Sequence, residues 1–195
     1  MVELYTQSTL LERGWTKKLI ADFAPEPDAV KTNPFFKKAA PMKLYAEDRI
    51  TQIEQSDEFI NAFHTAKGRK KAAQKAVYTK KTALLNLIDQ IEIRIADDPN
   101  IQNHAIASYN DFHEEMGHYD YEPARKTSDF HFLERITVNY ARHNLTRYDS
   151  LIDQLYRKVG KQEAYRLLKR RTLEAIARRY PSLDEECRRQ ADPIG

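Results

Sequence analysis

The sequence predicts a mainly α-helical protein: a small helix-turn-helix with a short β wing, then a long basic helix, then an α-helical bundle. Three observations predict it. Only 5 of the 195 residues are Gly, and most segments are rich in Ala, Leu, Ile, Lys, Arg and Glu, which favour helix. Between Pro25 and Pro41 proline interrupts that composition, and Met42–Tyr45 then alternates in the manner of a short strand. From Leu84 onward, outside an irregular stretch from Gly117 to Thr127, apolar residues recur at helical spacing. The chain accordingly divides into residues 1–60, a connecting helix over 61–98 and a helical domain over 99–195.

Taken in order, Thr6 caps a helix through Ser8–Arg13 with Leu10 and Leu11 facing inward, and Gly14 supplies a left-handed turn. Thr16 caps a second helix, Lys17–Phe23, whose Leu19, Ile20 and Phe23 share a face; Trp15 packs between the two helices. Pro25, Pro27 and Pro34 forbid helix across the next stretch, and Asn33-Pro34 favours a turn. Met42 and Leu44 then alternate with Lys43 and Tyr45 as a strand. Ile50 and Ile53 mark the apolar side of the next helix, with Asp48 in its first turn. Two short helices followed by a strand-bordered loop make the outline of a winged helix.

In a helix-turn-helix the start of the second helix meets base edges or phosphates, and Lys17 and Lys18 stand there. The same lysines would also suit an ordinary solvated helix face. The loop carries Phe35, Phe36, Lys37 and Lys38; cations there would neutralise phosphate and an aromatic ring could wedge or stack. At least one of the two phenylalanines is expected to close the small core instead.

The order YTQSTLLERGWTKKLIADF, loop, KLYAEDRITQIE resembles MerR-type regulators and phage excisionases. In those, a return strand reading Arg/Lys-Leu-Tyr precedes an Asp-Val/Ile helix. NPFFKKAAPMKLYAEDRI is similar to the corresponding stretch of xeroderma pigmentosum group A repair proteins, which share that fold. The resemblance implies recognition-helix contacts at Lys17 and Lys18, and wing contacts at Lys37, Lys38 and Lys43. The chain departs from the pattern in its Pro-rich loop and in lacking zinc-binding cysteines.

Charge is placed in blocks. Residues 1–60 carry 8 Lys/Arg against 10 Asp/Glu, whereas residues 61–81 carry 7 against none; residues 82–135 carry 4 against 11, and residues 136–195 carry 13 against 8. The winged-helix outline is therefore itself mildly acidic. The basic block opens a helix expected from Ser56 to Ala96, with a weak point at Gly68. Its Lys67, Arg69, Lys70, Lys71 and Lys75 would lie along phosphates, although a basic run also serves as a plain solvated face. Leu84, Ile88, Ile91 and Ile95 form a packing stripe in its second half.

Asp97-Asp98-Pro99 ends that helix. Residues 101–116 form another, with Ile101, Ala105, Ile106, Tyr109 and Phe112 inward; Asp129–Asn144 follows, with Phe132, Ile136 and Tyr140 on one side. Thr146 caps a helix to about Lys158, Gly160 breaks it, and Lys161–Tyr180 is long and amphipathic. Pro181 stops it, and a last turn over Leu183–Arg189 buries Cys187. VNYARHNLTRYDSL and EAY…YPSLDEEC are similar to the C-termini of uncharacterised bacterial proteins that also begin with a GWT…NPFF…KLY segment. That similarity supplies no activity.

His113, Glu114, Glu115, His118 and Asp120 cluster in sequence, but none of the stronger metal or catalytic spacings is present. The single Cys187 excludes an internal disulfide framework and a multi-cysteine zinc site. The expectation is a non-enzymatic cytoplasmic protein without cofactor, catalytic residues or metal ligands, with no signal peptide and no membrane span; a metal-dependent nuclease built on His113–Asp120 is the third reading, behind nucleic-acid binding and protein interaction. DNA is the first expected partner and RNA the second. The rival reading is a protein-interaction module or scaffold that keeps the winged helix for packing, with a homodimer contact or protein partner on the helical C-terminal region.

Overall fold

The computed structural model describes residues 3–32, 40–118 and 120–192. Of the described residues 67% are helical and 6% are in strands, which form one three-stranded sheet. The chain folds as two compact units, Met1–Ala76 and Val77–Gly195.

The first unit runs β1 (Leu4–Thr6), α1 (Gln7–Glu12), α2 (Lys17–Phe23), β2 (Ala29–Lys31), β3 (Met42–Ala46), α3 (Glu47–Glu54) and the start of α4 (Asp57–Gln90). The sheet is antiparallel in the order β1-β3-β2, with Tyr5 opposite Tyr45 and Val30 opposite Lys43. Thr6 caps α1 by accepting from the Thr9 amide, and Thr16 caps α2 by accepting from the Leu19 amide. These bonds satisfy amides that a helix start leaves free. Gly14 turns the chain between them at φ +98°, a conformation that costs any residue bearing a Cβ. Leu10, Trp15, Leu19, Ile20, Tyr45, Ile50 and Phe59 form the core.

Two expectations need correcting here. Leu11 is 40% exposed; adjacent helical residues lie about 100° apart, so Leu10 takes the inward position alone. Tyr45 is the buried residue of β3 at 1% exposure, with Tyr5 opposite it across the sheet. The stretch from Pro25 to Pro41 is not all loop, since β2 lies within it; three residues are too few to show a period of two. Phe35 and Phe36 lie outside the described residues.

The second unit contains the end of α4, then α5 (Ile101–Glu115), α6 (Phe130–Asn144), α7 (Tyr148–Gln154), α8 (Lys161–Arg179), a 3-10 turn (Pro181–Leu183) and α9 (Asp184–Ala191). Its interior is built from Val138, Ala141, Leu173, Ile176 and Cys187, flanked by Ile88, Leu155, Ala164 and Leu168, and by Ala105, Leu133 and Ile136. Cys187 is buried, and that burial pushes its thiol up to about 12. Gly160 holds φ +83° as the cap of α8, where an added Cβ would meet Lys81 Cγ at 2.8 Å.

Helix α4 stops at Gln90 rather than Ala96. Beyond it the half-buried Ile91, Ile93 and Ile95 alternate with the exposed Glu92, Arg94 and Ala96, a period of two suited to β-branched side chains. The spacing of Ile88, Ile91 and Ile95 also fits a helix, which is why the pattern misleads. Thr146 does not start a long helix: its hydroxyl accepts from the Tyr148 amide at 2.9 Å, and α7 ends at Gln154. Phe112 lies on the inward stripe of α5 but in its last turn, past the core, and is 55% exposed.

The two central glycines of the first half predict opposite responses. An added Cβ at Gly14 meets the Phe63 ring at 3.1 Å in a left-handed backbone, whereas Gly68 within α4 has open space around it. Gly14→Ala should destabilise the first unit by about 1–2 kcal/mol, read by urea unfolding through Trp15 fluorescence. Gly68→Ala should strengthen α4 by up to about 1 kcal/mol, read as increased helical circular dichroism.

Candidate nucleic-acid interface

The sequence-predicted residues fall on three elements. Lys17 and Lys18 are the first residues of α2, both exposed, held by the Thr16 cap. Lys18 pairs with Asp22 at 2.9 Å along the same helix, a largely exposed contact that does little to neutralise it toward a stronger anion. Lys43 is exposed on β3 opposite Val30, itself 61% exposed. Lys31, which sequence reasoning passed over, is exposed on β2 opposite Met42. Lys37 and Lys38 lie outside the described residues.

Two carboxylates fix the frame that carries these lysines. Glu54, at the end of α3, accepts from Trp15 Nε1 at 2.8 Å and from Arg13 Nη2 at 2.5 Å. It thereby ties the α1–α2 turn to α3. Burial alone would raise its pKa, but the bonds from Arg13 and Trp15 outweigh burial and hold the carboxyl below its ordinary range. Asp28, before β2, accepts from the Ala46 amide at 2.8 Å and from Arg49 at 2.6 Å. The Ala46 amide, with help from Arg49, lowers its pKa against the opposing effect of burial. The base of the β2–β3 hairpin is thus pinned to α3.

The third element is the middle of α4. Every residue from Lys67 to Lys80 is exposed, and no Asp or Glu occurs among them. Lys67, Arg69, Lys70, Lys71 and Lys75 have no carboxylate within 4.0 Å among the described residues, whereas Lys81, which ends the basic block, bonds Glu163 at 2.5 Å. The Lys81 bond holds the Glu163 carboxyl below its usual value. Lys67, Lys71 and Lys75 recur every four residues and form one row about 12 Å long at 1.5 Å per residue. Tyr78, 70% exposed, follows Lys75 by three residues and continues that row. Its neighbouring lysines were the signal that could have singled it out.

Two members of the histidine cluster meet each other. His113 and His118 approach through their Nδ1 atoms at 3.3 Å, and His113 stacks on Tyr121 with ring centroids 4.6 Å apart. Among the described residues, no group of three or more His, Cys, Asp and Glu is arranged to hold a metal ion. No described helix is long and apolar enough to cross a membrane.

The lowered pKa values of Glu54 and Asp28 give the frame an acid-sensitive stability. Their contribution is complete above the ordinary carboxylate range near pH 4 and is lost as pH falls through their lower folded values. The buried Trp15, the single tryptophan, should shift to solvent-exposed emission as pH falls below about 4. Glu54→Gln should weaken the unit by about 1–2 kcal/mol at neutral pH and flatten this acid limb; an unchanged limb would show that Glu54 is not its source.

Comparison with family models, with curated proteins and with solved structures returns no match for this chain.

Proposed function

We propose that the chain is a non-enzymatic nucleic-acid-binding protein, with DNA as its partner, in which a winged helix positions the duplex and the middle of α4 supplies most of the affinity. One observation carries this reading: from Lys67 to Lys80 the helix is exposed throughout and bears cations without a single acid. A winged-helix reading of the first unit is supported by two capped helices around the Gly14 turn, the β2–β3 hairpin and the helix α3 that follows it.

Physically, the arm acts by counterion release. Duplex DNA carries about one charge per 1.7 Å of axis, so a row of about 12 Å faces several phosphates. The capped start of α2, with Lys17 and Lys18, and the hairpin, with Lys31 and Lys43, add fewer charges but fix orientation. Phosphate contacts position a protein on the duplex, and base contacts specify sequence. On this reading the arm contributes grip, and the first unit contributes aim.

The test is a fluorescence anisotropy titration of a labelled duplex across a salt series. Affinity should fall steeply with salt, and joint replacement of Lys70, Lys71 and Lys75 by Glu should reduce binding at ~50 mM salt by about 100-fold or more and flatten the log–log salt slope by about 3. Absent binding at low salt, or binding indifferent to those replacements, would overturn the proposal. A protein partner that co-purifies in high salt without nucleic acid would favour the protein-interaction reading.

A further inference from the structure

The second unit carries a groove that the proposed DNA contacts leave unused. It lies between α5 and α6 and encloses about 690 Å³, within the few hundred to a thousand Å³ typical of small-ligand sites. Tyr109, Phe112 and His113 line it from α5, and Arg135, Asn139 and Arg142 line it from α6. No Asp or Glu is among its described lining residues.

The aromatic side of the groove is partly pre-set. The His113 ring is stacked on Tyr121 at an interplanar angle of 11° and lies 4.5 Å from the Tyr109 ring. Tyr109 in turn meets the Phe132 ring edge-on at 5.2 Å. Phe112, beside them, keeps more than half of its surface open. Such rings offer a planar ligand a face to stack on, and stacking is tolerant of ring identity.

The cationic side is held by neutral neighbours. Arg142 donates from Nε to His143 Nε2 at 3.2 Å, from Nη2 to Asn139 Oδ1 at 3.2 Å and from Nη1 to Gln190 Oε1 at 3.4 Å. A guanidinium only donates, so His143 Nε2 must accept. The ring proton of His143 then sits on Nδ1, where it donates to Asp149 Oδ1 at 2.8 Å. His143 therefore stands between Arg142 and that carboxylate, fixing the guanidinium without neutralising it. Arg135 lies 5.3 Å from the centre of the Phe132 ring. Neither arginine has a carboxylate within 4.0 Å among the described residues. Asn139, with its oxygen engaged by Arg142, retains amide N–H groups for a ligand.

An aromatic wall beside guanidinium groups that no carboxylate contacts matches one ligand chemistry: a planar ring joined to an anion that accepts several hydrogen bonds. We infer that the α5–α6 groove binds a nucleotide, with its base against Phe112, Tyr109 and His113 and its phosphate between Arg135 and Arg142. A phosphate suits the site because its oxygens accept from forked guanidinium donors. The ligand has two sources with the same chemistry, a free mononucleotide or one unit of a single strand. The site is independent of the basic row on α4.

Isothermal titration calorimetry with adenosine monophosphate, adenosine and inorganic phosphate, together with a short 5′-phosphorylated single strand, tests this on the full chain. Adenosine monophosphate should bind at least ~10-fold more tightly than adenosine or phosphate alone. Arg135→Ala and Phe112→Ala, both at exposed positions, should each weaken it by ~10-fold or more, while joint replacement of Lys70, Lys71 and Lys75 by Glu should leave it unchanged. Saturable mononucleotide binding assigns a free nucleotide. Binding of the strand alone, lost in Arg135→Ala and Phe112→Ala but kept when the three lysines become Glu, assigns a unit of a strand. Mononucleotide binding that survives both groove substitutions, or no saturable mononucleotide binding up to ~1 mM together with strand binding that is absent or survives both substitutions, overturns the inference.

Discussion

Between Lys67 and Lys80 helix α4 has no tertiary surface to lean on, and the proposed use of the protein depends on that stretch staying helical. Most helices in folded proteins are held by one buried face; an isolated helix is marginal. Here the composition substitutes for packing. Ala72, Ala73 and Ala76 lie among Lys, Arg and Gln, all of which lose little on entering a helix. The stretch is also bounded by packed turns: Phe59, Ala62, Phe63 and Ala66 join the core of the first unit, and Leu84, Leu85 and Ile88 join that of the second. Ordered turns at both ends remove the cost of nucleation, and propensity then needs only to propagate the helix.

The electrostatic pattern follows a similar division. The carboxylates that matter most in the first unit, Glu54 and Asp28, are consumed by structural bonds to Arg13, Trp15, Arg49 and the Ala46 amide. They hold the helix turn and hairpin in place without opposing the lysines of α4 at contact distance. In the second unit, Glu186 is almost fully buried and is satisfied by Arg189 and Gln190. A net charge of +3 thus conceals that the lysines of α4 are left open while Glu54, Asp28 and Glu186 are engaged. Net charge alone would have hidden the distinction, because screening makes local arrangement decide.

Much of the local structure was legible in the residues. The Thr6 and Thr16 caps, the Gly14 and Gly160 turns, the buried Cys187 and the exposed basic row all follow from side-chain chemistry that acts over a few residues. What stayed hidden depended on partners distant in sequence. Nothing near Tyr45 announces that Tyr5 will pair with it and bury that face of β3. Ile91 and Ile95 satisfy both periods, and the half-buried Ile93 between them fits only a period of two. The α5–α6 groove is the extreme case. Its His113 reads as part of a loose cluster in sequence, whereas its arginines and rings assemble only when helices separated by an irregular segment come together.

The all-round exposure of α4 has a consequence for dynamics. A helix segment that buries no side chain opens without disturbing either core, so its amides are free to exchange with solvent through local opening rather than global unfolding. The opening is easiest around Gly68, where the backbone is least restrained. A lysine-rich helix that opens in this way is also the natural point of entry for a protease that cleaves after basic residues. A ligand lying along the row would close that entry by holding the helix shut, so occupancy would be recorded as protection of one continuous stretch of backbone.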